Sequence, residues 1–264
     1  MTRWFRVSDG AEIGYVEQGS GNARLLFVHG WQGDHTVWSD VISALGPGMR
    51  SVAVDLRGSG VSNGAPGPYN LERFAADLRE LIDALDIGPV VVVGHSMGAT
   101  VALRLAVDAP ELVSGLILIA PVPAGSAGFS PKGADYLRAT AGDPAAARKW
   151  LSAMFAGEAD AAVLLRLCDA AGKTPRDAAL ESFESWSNAD FAEATRTISA
   201  PAIVVGPERD NPDVYQRKVA ALLPNARFVV LPDCGHYAIV ERPGEIAKLI
   251  DERNRGLGAE VEEQ

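Results

Sequence analysis

The sequence predicts an α/β fold: a mostly parallel central sheet of about eight strands, with helices on both faces. Three observations carry this. Apolar runs of strand length alternate with segments whose apolar residues recur at helical spacing. One such run, Val90-Val91-Val92-Val93, has the continuous apolar character of a strand buried on both faces. It passes through Gly94-His95-Ser96-Met97-Gly98 straight into an alanine- and leucine-rich helical run, Thr100 to Val107.

Taken in order, Trp4 to Val7 and Glu12 to Glu17 are expected as two strands around a Ser8-Asp9-Gly10 turn, an antiparallel hairpin at one edge. Arg24 to Val28 is an apolar strand ending at His29-Gly30-Trp31-Gln32-Gly33, and Val37 to Leu45 is helical. Arg50 to Val54 is the next strand, running into Asp55-Leu56-Arg57-Gly58-Ser59-Gly60. Leu71, Phe74, Ala75, Leu78, Leu81, Ile82 and Leu85 line one face of a helix over 71–85. Leu116 to Ile119 is a further strand after the Ser96 helix. The alternation then stops. Residues 122–196 are alanine-rich and helical, broken near Gly125, Pro131, Gly142-Asp143-Pro144, Gly157 and Gly172 to Pro175. The sheet pattern resumes with strands at 202–205 and 226–231 and a helix at 214–222. A last helix runs from about Pro243 to near Arg255, before a frayed acidic end from Gly258 to Gln264. The division is therefore a core of residues 1–121 and 197–264, with 122–196 as a helical cap inserted after the sixth strand.

Composition narrows the function. With 24 basic against 34 acidic residues, the net charge is −10, and no basic cluster stands out. Neither nucleic acid nor an anionic membrane is an expected partner. Cys168 and Cys234 lie far apart and are read as free thiols in a reducing compartment. The N-terminus has no signal-peptide pattern, so a cytoplasmic location is expected. No spacing of His, Cys, Asp or Glu suggests a metal. In the Asp55–Gly60 stretch, Gly58-x-Gly60 lacks a third glycine and no helix is expected to start there, so a dinucleotide loop is not expected. No cofactor is expected.

The chemistry centres on Ser96. A Gly-x-Ser-x-Gly string between a strand and a helix is the setting of a nucleophile elbow, a strained turn that lifts the serine hydroxyl above the sheet. A serine needs a base, and the base an orienting acid. Of four histidines, His95 adjoins Ser96 and is expected to point away from its hydroxyl, whereas His236 follows the last strand in Asp233-Cys234-Gly235-His236-Tyr237, where Gly235 allows a sharp turn. His236 is the candidate base. Asp210, after the 202–206 strand, is the candidate acid, with Glu208 and then Asp233 as alternatives. Oxyanion donors are expected at the backbone N–H groups of Met97 and Trp31. Candidate substrate contacts are Trp31, His95 and Tyr237 around this centre, and Tyr136, Trp150, Phe155 and Trp186 from the cap.

These stretches together resemble the α/β-hydrolase superfamily: His29-Gly30-Trp31, Asp55 to Gly60, Gly94 to Gly98, Gly206 to Asp210 and Gly235-His236, in order along nearly the whole chain. One departure concerns the acid loop. The family usually places its Asp three residues after the glycine, and Pro207 adds one here, which keeps Glu208 open. The resemblance implies serine-dependent hydrolysis of a small to medium, largely apolar carboxylic ester or lactone, nearest an esterase, enol-lactonase and cofactor-free haloperoxidase group. It implies a small-molecule substrate and a monomer or homodimer. Relatives that cleave carbon–carbon bonds carry a tryptophan beside the histidine, where this chain has Tyr237. Cofactor-free dioxygenases tend to lose the glycine kept here as Gly94. A non-catalytic receptor on the same scaffold is the remaining alternative.

Overall fold

A computed structural model describes residues 1–211 and 213–262. The chain opens with the hairpin β1 (Thr2–Arg6) and β2 (Glu12–Gln18), followed by β3 (Ala23–Val28). The helix expected over 37–45 is divided. Asp34 caps a 3-10 turn at His35–Trp38 by accepting from Thr36 N–H at 3.0 Å, and α1 (Ser39–Ala44) follows. After β4 (Met49–Val54) comes α2 (Leu71–Leu85), as the apolar spacing predicts, with Asn70 accepting from Arg73 N–H at 2.8 Å to cap it. β5 (Val90–His95) is buried at all six positions. α3 (Met97–Asp108) starts directly after Ser96, three residues before the alanine-leucine run, and packs on α2. β6 (Val113–Ile119) begins earlier than Leu116 because Val113 already pairs with Val90.

Four helices fill the interval before the sheet resumes: α4 (Pro131–Arg138), α5 (Pro144–Ala153), α6 (Ala161–Lys173) and α7 (Arg176–Ser187). Ser130, Asp143 and Asp160 cap the first three with their side-chain oxygens. Then follow β7 (Ala202–Pro207), α8 (Gln216–Leu222), β8 (Ala226–Leu231), the short α9 (Ala238–Glu241) and α10 (Pro243–Glu262). α9 has no counterpart in the sequence prediction. α10 continues past Arg255, so the expected frayed end is helical in backbone to Glu262. Glu263 and Gln264 lie outside the described residues.

The sheet order is β1-β2-β4-β3-β5-β6-β7-β8, parallel from β4 to β8 and antiparallel across β1-β2-β4. β3 and β5 lie side by side at its centre, and their C-terminal ends carry His29-Gly30-Trp31 and Ser96. Among the described residues no helix is long and apolar enough to cross a membrane.

The Asp55–Gly60 stretch is a structural knot. It leads into a single 3-10 turn, Gly60–Gly64, where no helix was expected. The buried Asp55 carboxylate accepts from the backbone N–H groups of His35 (2.6 Å) and Val61 (2.8 Å). The Arg57 guanidinium is fully buried. It donates twice to Asp77 on α2 (2.9 Å each), pairs with Asp9 of the hairpin turn at 2.8 Å, and donates to Pro66 O at 2.5 Å. Arg73 pairs with Asp77 and Glu80. This network fastens the hairpin, the β4 loop and α2 together. Removing Asp77 takes both of its bonds from a buried guanidinium and leaves only Asp9 and Pro66 O, which is far costlier than losing a surface pair. Asp77→Ala is therefore expected to lower unfolding free energy by about 3–5 kcal/mol, read as a fall in the urea midpoint. A midpoint within error of wild type would show the network contributes nothing net.

Candidate active site

Ser96 has φ 52° and ψ −121°, a conformation rare for a residue with a side chain. It is held from both sides. Ser96 N–H donates to Ile119 O at 3.0 Å, and α3 begins at the next residue. A Cβ on Gly98 would collide with the carbonyl oxygens of Val28, at the end of β3, and His29, just after it, and one on Gly94 would lie 2.6 Å from Ala99 Cα. The glycine–serine–glycine spacing is thus imposed by the closeness of β3, β5 and α3. As the first residue of α3, Met97 has an N–H with no intrahelical partner.

His236 sits between β8 and α9, and its Nδ1–H donates to Asp210 Oδ2 at 2.9 Å. Of the three carboxylates considered, Asp210 is the one that meets it. Glu208 instead accepts from the Asp233 N–H at 3.1 Å, and the Asp233 carboxylate lies 3.7 Å from Arg209. The additional Pro207 is absorbed by β7, whose last residue it is. A 3-10 turn, Glu208–Asp210, then brings Asp210 round to the histidine. The same Oδ2 accepts a second bond, from Gln216 Nε2–H at 2.8 Å.

The histidine loop is also tied to the helical segment. His236 N–H donates to Met154 O at 2.8 Å, just after α5. The Glu241 carboxylate spans both sides, accepting from Gly235 N–H at 2.9 Å and Ala156 N–H at 3.1 Å. Gly235 is expected from the sequence to turn the chain. The left-handed residue is instead Asp233, at φ 50°, while Gly235 lets the 154–156 backbone approach: a Cβ there would strike Met154 O and sit 2.7 Å from Ala156 N.

His95 does not point away. It lines the cavity with Ser96, and its Nε2–H donates to His236 O at 2.9 Å. Burial pushes its pKa down to about 3, so the ring is neutral. His29 is wholly buried, with Nδ1–H donating to Gly30 O (2.8 Å) and Nε2 accepting from Leu56 N–H (3.0 Å). His35 pairs with Asp55, which raises its pKa.

Ser96, His236 and Asp210 border a cavity of about 190 Å³. Of the predicted substrate contacts, Trp31, His95, Trp150, Trp186 and Tyr237 line it. Two do not. Tyr136 faces outward and is 43% exposed, and Phe155 stacks on Tyr237 with ring centres 5.5 Å apart. Trp31 packs against Trp150, Phe183 and Trp186, and its indole N–H donates to Ala179 O at 2.9 Å. Phe129, Leu137 and Met154 complete the apolar wall. Their apolar character was visible in the sequence, but not which side of each short helix faces inward. Tyr215 and Gln216 were missed, since nothing in the local sequence links the start of α8 to Asp210. Cys234 is buried, its thiol pushed up to about 12 by burial, and Cys168 is also free.

A family model for the alpha/beta hydrolase family matches residues 25–249. BpoC of Mycobacterium tuberculosis, provisionally named a non-heme bromoperoxidase, is 30% identical over 260 residues, covering 88% of this chain and 93% of BpoC. Among solved structures, an enol-lactonase from Burkholderia xenovorans superposes with a TM-score of 0.84 at 25% identity, over 95% of this chain and 98% of its own. An esterase from Exiguobacterium antarcticum reaches 0.89 at 21% identity, covering 96% and 99%, a likeness of fold.

The neutral, buried His95 has a consequence for stability. The folded chain leaves it unprotonated down to about pH 3, whereas the unfolded chain takes a proton near 6.5. Between those values the unfolded state binds more protons, so stability falls as pH drops through this window. His29, lowered by burial, acts in the same direction, and His35, raised by Asp55, opposes it. His95→Gln, which keeps an N–H donor, is expected to lose less stability between about pH 7 and about pH 4.5 in urea titrations. An equal loss in both proteins would remove His95 from this account.

Proposed function

Proceeding from the fact that the chain belongs to the alpha/beta hydrolase family, we propose that it hydrolyses a small to medium, largely apolar carboxylic ester or lactone through an acyl-enzyme on Ser96. The observation that carries this reading is the meeting, in one cavity, of Ser96 on its strained turn and His236 with Nδ1 bonded to Asp210. His236 Nε2 takes the Ser96 hydroxyl proton as Oγ attacks the carbonyl carbon. Asp210 holds the ring in the tautomer that leaves Nε2 free and stabilises the imidazolium. The tetrahedral oxyanion is received by the backbone N–H groups of Met97 and Trp31. Collapse breaks the carbon–oxygen bond to the alcohol, which leaves with the proton from His236. In a lactone, that alcohol stays attached to the acyl chain. Water, deprotonated by His236, then attacks the acyl carbon and releases the acid and free Ser96.

The wall of Trp31, Phe129, Leu137, Trp150, Met154 and Trp186 supports an apolar acyl or alcohol part. The enol-lactonase neighbour supports a cyclic ester as readily as an open one. The name of BpoC favours a second use of the same acyl-enzyme. Hydrogen peroxide in place of water would release a peracid, and halide oxidation would then depend on an added carboxylic acid.

A fluorophosphonate probe is expected to label the wild type and not Ser96→Ala; labelling of both would move the nucleophile elsewhere, and labelling of neither would end the serine reading. On a short-chain nitrophenyl ester, Asp210→Asn should lower kcat about a thousandfold or more. Glu208→Gln should stay within about twofold of wild type, since Glu208 meets the Asp233 backbone and the Arg209 guanidinium and not His236. The reverse ranking would make Glu208 the acid.

A further inference from the structure

Asp210 Oδ2 takes two hydrogen bonds, one from His236 Nδ1–H at 2.9 Å and one from Gln216 Nε2–H at 2.8 Å. A carboxylate can only accept, so the Gln216 amide must turn its NH₂ group to Asp210 and its oxygen away. That oxygen is buried and has no partner among the described residues, and Gln216 itself is 1% exposed. A buried acceptor without a donor works against folding. An apolar side chain of the same length would avoid it. The unfavourable group is kept where its other end touches the carboxylate that holds His236. The Asp210 and His236 side chains are only 20% and 14% exposed, so water offers little substitute for that donor.

We propose that Gln216 is a positioning residue for the Asp210–His236 pair: it fixes the carboxylate oxygen that His236 uses and limits how strongly that oxygen draws a proton onto the imidazole. This rests on the hydrolase reading above. A donor on Oδ2 spreads its negative charge. Withdrawing that donor leaves the full charge facing His236, which favours the imidazolium and delays its deprotonation to higher pH. A helix-fastening role for Gln216 would leave that titration where it is.

The other titratable groups around His236 stay in place on this substitution. Asp210, Glu208 and Arg209 follow β7, and Tyr215 precedes α8, its phenol raised by burial and by the Asp210 charge. His95 lies at the end of β5, with ring centres 5.0 Å apart, and is neutral. Asp233, Cys234, Tyr237 and Glu241 are on or beside its own loop, with Arg242 donating to Asp233 O. The 154–156 strand of chain against the loop carries no ionisable side chain.

The test is a titration of the His236 ring by NMR in the wild type and in Gln216→Met, which keeps length and removes the donor. The midpoint is expected to rise by about half a pH unit or more. On an ester that the enzyme turns over, the acid limb of kcat/KM should move up by the same amount. A folded variant with an unchanged midpoint overturns the proposal. Should Gln216→Met fail to fold, Gln216→Leu is read by the same two outcomes. The NMR measurement needs no substrate, so it separates the two ideas. Absent fluorophosphonate labelling would sink the hydrolase reading, and an unmoved titration would sink the role of Gln216.

Discussion

The left-handed backbone at Ser96 is wedged where β3, β5 and α3 come closest, and the rest of the molecule is arranged to keep it so. A serine at φ 52° is unfavourable by about 1–3 kcal/mol. It persists because the buried β5 fixes one side and α3 the other, with Gly94 and Gly98 giving the clearance. Relaxing the turn would require moving a central strand or a helix packed on α2. The dense apolar core makes both expensive. Strain of this kind is stable only on a scaffold that is stiff around it, and a parallel sheet buried on both faces is such a scaffold.

The second dependence runs between the sheet and the helices of 122–196. His236 reaches its place through a loop whose backbone is bonded to the chain just after α5. Glu241 joins the two sides by accepting from both. Trp31, next to the sheet's central strands, is anchored to α7 through Ala179 O and packs among aromatics of the helical segment. The side chains that shape the cavity and the loop that carries His236 are therefore not independent. A change in how the helical segment docks alters both at once.

The remaining histidines and buried charges explain why His236 stands apart. His29 has both ring nitrogens bonded to backbone, His35 is paired with Asp55 outside the cavity, and His95 donates to the His236 carbonyl. Each is committed to holding a loop. Arg57, Asp77 and Asp9 play a comparable part below the site, fixing the hairpin and α2. In the Asp55–Gly60 stretch the glycines serve this packing. Gly60 lies so close to the Asp55 carboxylate that a Cβ would overlap it.

The order of strands and helices, the Ser96 turn and the candidate base were legible in the sequence because each is set by local signals. These are apolar runs of strand length, helical spacing over 71–85, and two glycines flanking a serine between a strand and a helix. What the sequence left open was whatever depends on contacts between distant segments. The choice of Asp210 over Glu208 follows from β7 lengthening through Pro207, which its pairing with β8 decides. The outward turn of Tyr136, the approach of Ala156 to Gly235 and the bond from Gln216 to Asp210 bring together residues with no shared local pattern. Local spacing dictates how a segment folds and which of its faces is apolar. Which neighbour that face meets, and which carboxylate meets which imidazole, is settled only when the sheet and the helical segment pack together.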